Sequence, residues 1–335
     1  MNDTHIIIIA EAGVNHNGNF DMARQMIIEA KKAGADYVKF QTAVPELVIS
    51  TFAPKAEYQK ETTGAGESQL EMCKAIHLPL SDYSRLKAIC DEVGIGFMST
   101  PFDLVSIDCL DALKMDYWKI PSGEITNLPY LRKIASKGGR VILSTGMSTL
   151  EEVSTAVEIL VAGGIAREDI ILLHCTTQYP TPADAVNLRA MDALRTIGCG
   201  GVGYSDHTVG ITIPIAAAAR GARVIEKHFT LDRTLPGPDH RASLEPDELA
   251  AMVSAVRIVE QALGTGVKEV AEAERSNIAV ARKSIVAARD IRAGEVLTEE
   301  NITVKRPGNG ISPMLWDKII GTTASRDYSA DELID

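Results

Sequence analysis

The chain has 335 residues, 45% of them hydrophobic and 24% charged, with a formal net charge of −11. That length accommodates one large domain plus a small one, and the acid surplus excludes nucleic acid and anionic membrane as natural partners. Any anionic substrate must be held by local basic groups.

No apolar run reaches the length of a membrane span. The run Ile6–Ala10 stops at Glu11 and has no basic flank, so it reads as a strand and not as a signal peptide. Five cysteines, odd in number and without a CxxC pair, point to a reduced, cytoplasmic compartment.

A short, apolar, β-rich run ending in polar residues recurs eight times: Ile6–Glu11, Tyr37–Gln41, Gly96–Thr100, Tyr117–Ile120, Val141–Thr145, Ile170–His174, Val202–Ser205 and Val224–His228. Helical patterns lie between most of them. Phe20–Ala33 places Met22, Met26 and Ile27 on one face and stops at Gly34. Glu151–Leu160 follows an N-cap at Ser148 or Thr149. Eight such βα units predict a (β/α)8 TIM barrel, a fold of about 250 residues. A doubly wound sheet is the competing α/β architecture, but no GxGxxG turn is present.

The second and third runs are separated by about fifty residues, too many for a simple βα connection. The stretch PKAEYQKETTGAGESQLEM within it is expected to form a lid or one wall of a pocket, ahead of a helix over Leu80–Glu92. Pro246–Gly264 carries Leu249, Met252, Val253, Val256 and Val259 on one face and reads as the last barrel helix. Residues 1–264 are thus the barrel. Residues 265–283 are charged and weakly patterned and read as a linker, and residues 284–335 form a small domain of short β runs and turns.

Active sites of TIM barrels lie at the carboxyl ends of the strands, so the polar residues there are the candidates. In GVGYSDHTVG…RVIEKHFT, two adjacent strands run into His207 and His228 on either side of an alanine-rich crossover helix. Two imidazoles at one sheet edge could hold a divalent metal with open positions, or be ordinary loop histidines. Alternation puts Glu226 on the same face as His228 and turns Lys227 outward to the helices. Lys39 and Lys119 sit in apolar strand contexts (YVKFQ, YWKIPSG). Each needs an anion, either a phosphorylated, carboxylated substrate or an internal carboxylate such as Glu11 or Glu124. Glu11 and Asp239 are carboxylates placed to move protons. A lysine Schiff-base aldolase, with Lys39 or Lys119 as nucleophile, is a second reading of the same residues. A third makes the C-terminal domain a binding module on a degenerate barrel.

The runs IAEAGVNHNG, VKFQT, STPFD, KIPSGE, LSTGMST, LLHCTTQYPTP, GYSDHT, IEKHFTLD, GPDH and KRPGNGISP resemble the sialic acid synthase family, in one order over essentially the whole chain. The resemblance implies a TIM barrel followed by a small antifreeze-protein-like (SAF) domain. It implies condensation of phosphoenolpyruvate with an N-acylated mannosamine-type sugar, with release of phosphate and use of Mn2+ or a similar divalent ion (Mg2+, Co2+). It also implies a domain-swapped homodimer. By that resemblance His207 and His228 ligate the metal. Lys39, Thr100, Lys119, Ser122 and Ser144 bind phosphoenolpyruvate; Glu11, Gln41, Glu124, Tyr179 and Asp239 face the sugar and the chemistry; Arg306 reaches the sugar from the partner subunit. Two positions depart from the sialic-acid type: Thr177, where that type has asparagine, and Val280, where it has phenylalanine. The expected product is N-acetylneuraminate, with N,N′-diacetyllegionaminate from 2,4-diacetamido-2,4,6-trideoxymannose as the alternative. Sugar choice is expected to lie in the 42–75 loop, around Thr177–Tyr179 and near Val280.

Overall fold

The structure is a computed structural model that describes residues 5–55, 66 and 68–335. It divides into two compact units, one ending at Gly264 and one spanning Thr265–Asp335. The first contains eight strands: β1 (Ile7–Gly13), β2 (Tyr37–Thr42), β3 (Gly96–Pro101), β4 (Tyr117–Ile120), β5 (Arg140–Ser144), β6 (Ile170–His174), β7 (Gly201–Asp206) and β8 (Val224–His228). Their order is β3-β2-β1-β8-β7-β6-β5-β4, hydrogen-bonded neighbours parallel throughout, with β3 and β4 brought together at the ends. This is a nearly closed TIM-type barrel, and each run anticipated as a strand is one.

Strand alternation splits the barrel's core in two. Outward residues such as Val38, Phe40, Ile120, Leu143 and Ile225 pack against the helices in the large apolar cluster. A separate cluster fills the barrel's axis: Ile9, Met98, Ile142, Leu173 and Val224, with Tyr37 and Tyr117 edge-to-face at 5.9 Å. That plug is the floor on which the polar strand ends sit, as in the layered interior of other TIM barrels. Gly203 is part of how it closes. A Cβ there would stand 2.3 Å from the Val224 carbonyl oxygen and 2.7 Å from Leu173 Cδ2.

The helices follow their local signals. Phe20–Lys32 is capped by Asn19, whose side chain accepts the Met22 N–H, and buries Ala23, Met26, Ile27 and Ala30. Leu150–Ala162 starts at a Thr149–Glu152 capping box, which resolves the choice between Ser148 and Thr149. The long β2–β3 connection contains two short helices, Pro45–Val48 and Gln69–Ile76, ahead of Leu80–Val93. The middle of its PKAEYQ stretch, residues 56–65 and 67, lies outside the described residues. Among the described residues no helix is long and apolar enough to cross a membrane.

The second unit pairs β9 (Ser284–Ala287) antiparallel with β10 (Ile302–Lys305) over a core of Ile285, Ala287, Ile291, Leu297, Ile302, Ala324, Tyr328 and Ile334. The segment expected as a linker is only partly one. Arg275–Ala281 is helical and is tied to the small domain, Gly308 N–H donating to the Ala279 carbonyl at 2.7 Å. The helix shows no apolar stripe in the sequence because its apolar residues, Val280 among them, stay largely exposed.

Candidate active site

The strand ends converge on one cavity of ≈ 440 Å³. Its lining includes Glu11, Lys39, Gln41, Thr100, Lys119, Ser122, Ser144, Thr177, Tyr179, His207, His228 and Asp239, so nearly the whole candidate set is brought together. Glu124 is the exception in this unit. It sits half-buried on the Ser122–Glu124 turn, accepts from Asn127 Nδ2 at 2.6 Å, and does not line the cavity. Arg306 lies in the second unit, exposed, with its Nε donating to the Ala281 carbonyl at 3.2 Å.

The two lysines are buried in a charge-balanced layer. Lys39 Nζ lies 2.7 Å from Glu11, 3.6 Å from Glu226 and donates to Thr100 Oγ1 at 3.0 Å. Lys119 Nζ donates to Ser144 Oγ at 2.6 Å and lies 3.7 Å from Glu226. The internal carboxylates are therefore Glu11 and Glu226, and Glu124 is not one of them. Glu226 also accepts from Ser205 at 2.9 Å. It links β2, β4, β7 and β8, and although the alternation put it on the inner face, strand-end position alone gave no reason to single it out. Burial favours neutral forms, but charge partners decide each case. Burial would depress Lys39, yet Glu11 and Glu226 hold its pKa above the ordinary lysine value. Lys119 is pushed down by its burial, only partly offset by Glu226. Burial would raise Glu226, but Lys119 and Lys39 hold it below the ordinary value. Burial, then the Glu11 charge, lift the pKa of Asp239 to about 7.

The His207 and His228 ring centroids are 5.4 Å apart, and the Tyr179 ring packs tilted against His207 at 4.1 Å. His207 Nδ1 donates to the Thr176 carbonyl at 2.6 Å, which leaves Nε2 as a lone-pair donor to a metal. Among the described residues His228 Nδ1, which is buried, has no hydrogen-bond partner. Burial drives His207 down to about 4 and His228 well below its ordinary value, so both rings are neutral and able to ligate. Two such rings fit a divalent ion. Among the described residues no cluster of three His, Cys, Asp or Glu is placed to hold one, so water or substrate would fill the other positions.

One wall was not resolved into residues by the sequence. Met72, Cys73, Ile76 and His77, on and after the Gln69–Ile76 helix, line the cavity. The long β2–β3 connection does supply a wall, but the helical period in QLEMCKAI is too short to have shown which side chains face inward.

A TIM barrel that gathers buried lysines, a histidine pair and a high-pKa aspartate in a cavity at its carboxyl end has the layout of a TIM-barrel active site. The chain belongs to the NeuB family, which it matches over residues 26–268, and residues 282–335 match the SAF domain. It is 50% identical to the N,N′-diacetyllegionaminic acid synthase of Campylobacter jejuni over 328 residues, covering 98% of each chain. It is 45% identical to the protein of that name from Legionella pneumophila, covering 96% of this chain and 91% of that one. The crystal structure of an N-acetylneuraminic acid (sialic acid) synthetase from Leptospira borgpetersenii superposes with a TM-score of 0.72 at 35% identity, covering 82% of this chain and 91% of that one. This chain is an enzyme of a sugar-acid synthase family.

Proposed function

We propose that this enzyme condenses phosphoenolpyruvate with 2,4-diacetamido-2,4,6-trideoxymannose to give N,N′-diacetyllegionaminate and phosphate. The observation that carries the reaction class is the buried pair Lys39 and Lys119, both opening on the cavity that also holds His207, His228 and Asp239. The N-acetylneuraminate assignment expected from the sequence gives way to the legionaminate one. The two relatives named above, at 50% and 45% identity, are both legionaminic acid synthases.

In this reading Lys39, Lys119, Thr100, Ser122 and Ser144 bind the carboxylate and phosphate of phosphoenolpyruvate through charge-assisted hydrogen bonds. The internal carboxylates Glu11 and Glu226 keep Lys39 charged when the site is empty. His207 and His228 would hold a divalent ion such as Mn2+, which when bound supplies Lewis-acid polarisation of the sugar aldehyde. C3 of phosphoenolpyruvate forms a bond to the aldehyde carbon, and Asp239 gives its proton to the aldehyde oxygen. Water then bonds to C2 and returns a proton to Asp239. The C2–O bond to phosphate breaks, and the remaining hydroxyl proton leaves with phosphate as the keto group forms. A pKa near 7 suits a group that must both give and take a proton at neutral pH. Gln41, Thr177 and Tyr179 face the sugar. Arg306 is assigned to the sugar of a partner subunit in a homodimer, on the strength of KRPGNG.

The test is turnover with phosphoenolpyruvate and, in parallel, N-acetylmannosamine or the trideoxy sugar, followed by phosphate release and product mass. A kcat/KM at least tenfold higher for the trideoxy sugar, about 1.4 kcal/mol, supports the assignment. The reverse preference restores the N-acetylneuraminate reading.

A further inference from the structure

Each candidate ligand follows a residue that points to the opposite face of its strand: Asp206 before His207, and Lys227 before His228. The register of β7 and β8 sets Asp206 opposite Lys227. Lys227 Nζ donates to Asp206 Oδ2 at 2.6 Å and also to the Thr208 carbonyl, and both charged side chains are completely buried. Asp206 in turn accepts the Thr208 N–H at 3.1 Å and the Thr208 hydroxyl at 3.0 Å. The peptide groups flanking His207 are therefore gripped on both sides. On the inner face Thr181 N–H donates to the His207 carbonyl at 2.8 Å, and the Thr176 carbonyl accepts both His207 Nδ1–H and the Thr181 hydroxyl.

A fully buried ion pair is a poor stabiliser, since desolvation cancels most of its attraction and apolar replacements are often tolerated. Its better-attested use is to specify one arrangement among several. We propose that Asp206 and Lys227 are positioning residues: a clamp behind the sheet that sets where His207 stands relative to His228, and so tunes binding of a divalent cation. The inference rests on the metal reading given above.

The experiment is a Mn2+ titration of the full chain, stripped with EDTA, followed by electron paramagnetic resonance alongside thermal unfolding without metal. The test variant is Asp206→Asn with Lys227→Met, which removes the clamp and leaves no unpaired charge. The control is Asp36→Asn with Arg257→Met, which removes a 2.8 Å ion pair at the other end of the barrel. Both double variants are expected to lose melting temperature, but only the first should weaken Mn2+ binding, by tenfold or more. Should it fail to fold, Thr208→Val, which deletes one bond to Asp206, is expected to weaken binding about threefold. Mn2+ affinity equal to that of the unmodified chain in these clamp variants overturns the clamp alone. Mn2+ binding in the unmodified chain that His228→Ala leaves intact overturns the metal reading and the clamp with it.

Discussion

Lys39 Nζ lies 2.7 Å from Glu11 Oε2, and both side chains are only 3% exposed. Burying such a pair is repaid only when further bonds support it; Lys39 Nζ donates to Thr100 and Gln41 donates to Glu11 Oε1, while Glu11 Oε2 meets only the lysine charge. The arrangement keeps a cation ready, deep in a cavity, in a chain whose net charge is −11.

Glu226 is the hub of that layer. Glu226→Gln keeps its volume and its bond from Ser205 while removing the charge that faces both lysines. Stability measured by urea unfolding is expected to fall by about 3 kcal/mol, the scale for breaking a buried pair. The KM for phosphoenolpyruvate should rise with pH at a lower pH than in the unmodified enzyme, because Lys119, already depressed by burial, loses its main charge partner. Unchanged stability and an unchanged KM profile would show that the lysines do not depend on Glu226.

How much of this was legible in the sequence follows from what is local. Strand runs and caps are set by neighbours in the chain, so all eight barrel strands and the Phe20, Leu150 and Pro246 helices could be read directly. Strand-end position in a barrel also sufficed to collect Lys39, Lys119, His207, His228 and Asp239. What could not be read is which carboxylate meets which lysine. Glu124 is close to Lys119 in sequence, yet it turns away to Asn127 while Glu226, over a hundred positions on, faces the lysine. Barrel closure decides that pairing, and no periodicity reports it. The Arg275–Ala281 helix was missed for a related reason, since a helix with little buried surface has no apolar stripe to display.

His207→Ala or His228→Ala is expected to abolish Mn2+ binding detectable by electron paramagnetic resonance and to lower kcat/KM by about a thousandfold, roughly 4 kcal/mol of lost transition-state stabilisation. EDTA should silence the unmodified enzyme and Mn2+ should restore it. Full activity in the presence of EDTA would refute a metal-dependent reaction.

Asp239 makes a pH prediction with a definite sign. Its pKa in the folded chain is about 7 against an ordinary 3.8, because burial and Glu11 disfavour the charge. Between those values the folded state holds a proton that the unfolded state has lost. Stability contributed by this group therefore declines as pH rises from about 4 to about 7 and levels off above. Asp239→Asn has no proton to lose, so its stability relative to the unmodified chain should grow across that window. Parallel stability curves for the two proteins would place the carboxyl in water instead of the cavity. The same substitution should leave substrate binding measurable while removing turnover.

Thr177 bears on the sugar. It lines the cavity beside Tyr179, and its methyl group packs against Gly146, where an added Cβ would stand 2.7 Å from Thr177 Cγ2. A site lined by apolar groups accepts a 6-deoxy sugar, whereas one built to bond a hydroxyl rejects the analogue lacking it. Thr177→Asn is expected to shift the kcat/KM ratio toward N-acetylmannosamine by about tenfold. A ratio that does not move would assign sugar choice to the Met72–His77 wall.

The final prediction concerns which bond of phosphoenolpyruvate breaks. P–O cleavage needs a group or a water directed at phosphorus, while C–O cleavage needs water at C2 and a residue to take its proton. Cys175 is the thiol nearest the lysine layer, but burial raises its pKa and its partner is the Ser122 hydroxyl at 3.2 Å, which is no general base. Ser144 accepts from Lys119 Nζ, and while that lysine is protonated its oxygen is not activated for attack. Asp239, by contrast, is buried in the cavity with a pKa near 7 and can take a proton from water. C–O cleavage is therefore expected. Phosphoenolpyruvate carrying ¹⁸O at its bridging position should deliver the label to inorganic phosphate, read by mass spectrometry or by the isotope shift in the phosphorus spectrum. Label found in the sugar acid would mean P–O cleavage. A lysine adduct trapped by borohydride would replace the whole scheme with a Schiff-base aldolase; Lys39, kept protonated by its carboxylate partners, has no free electron pair for it, so the adduct would be sought on Lys119, whose pKa burial depresses.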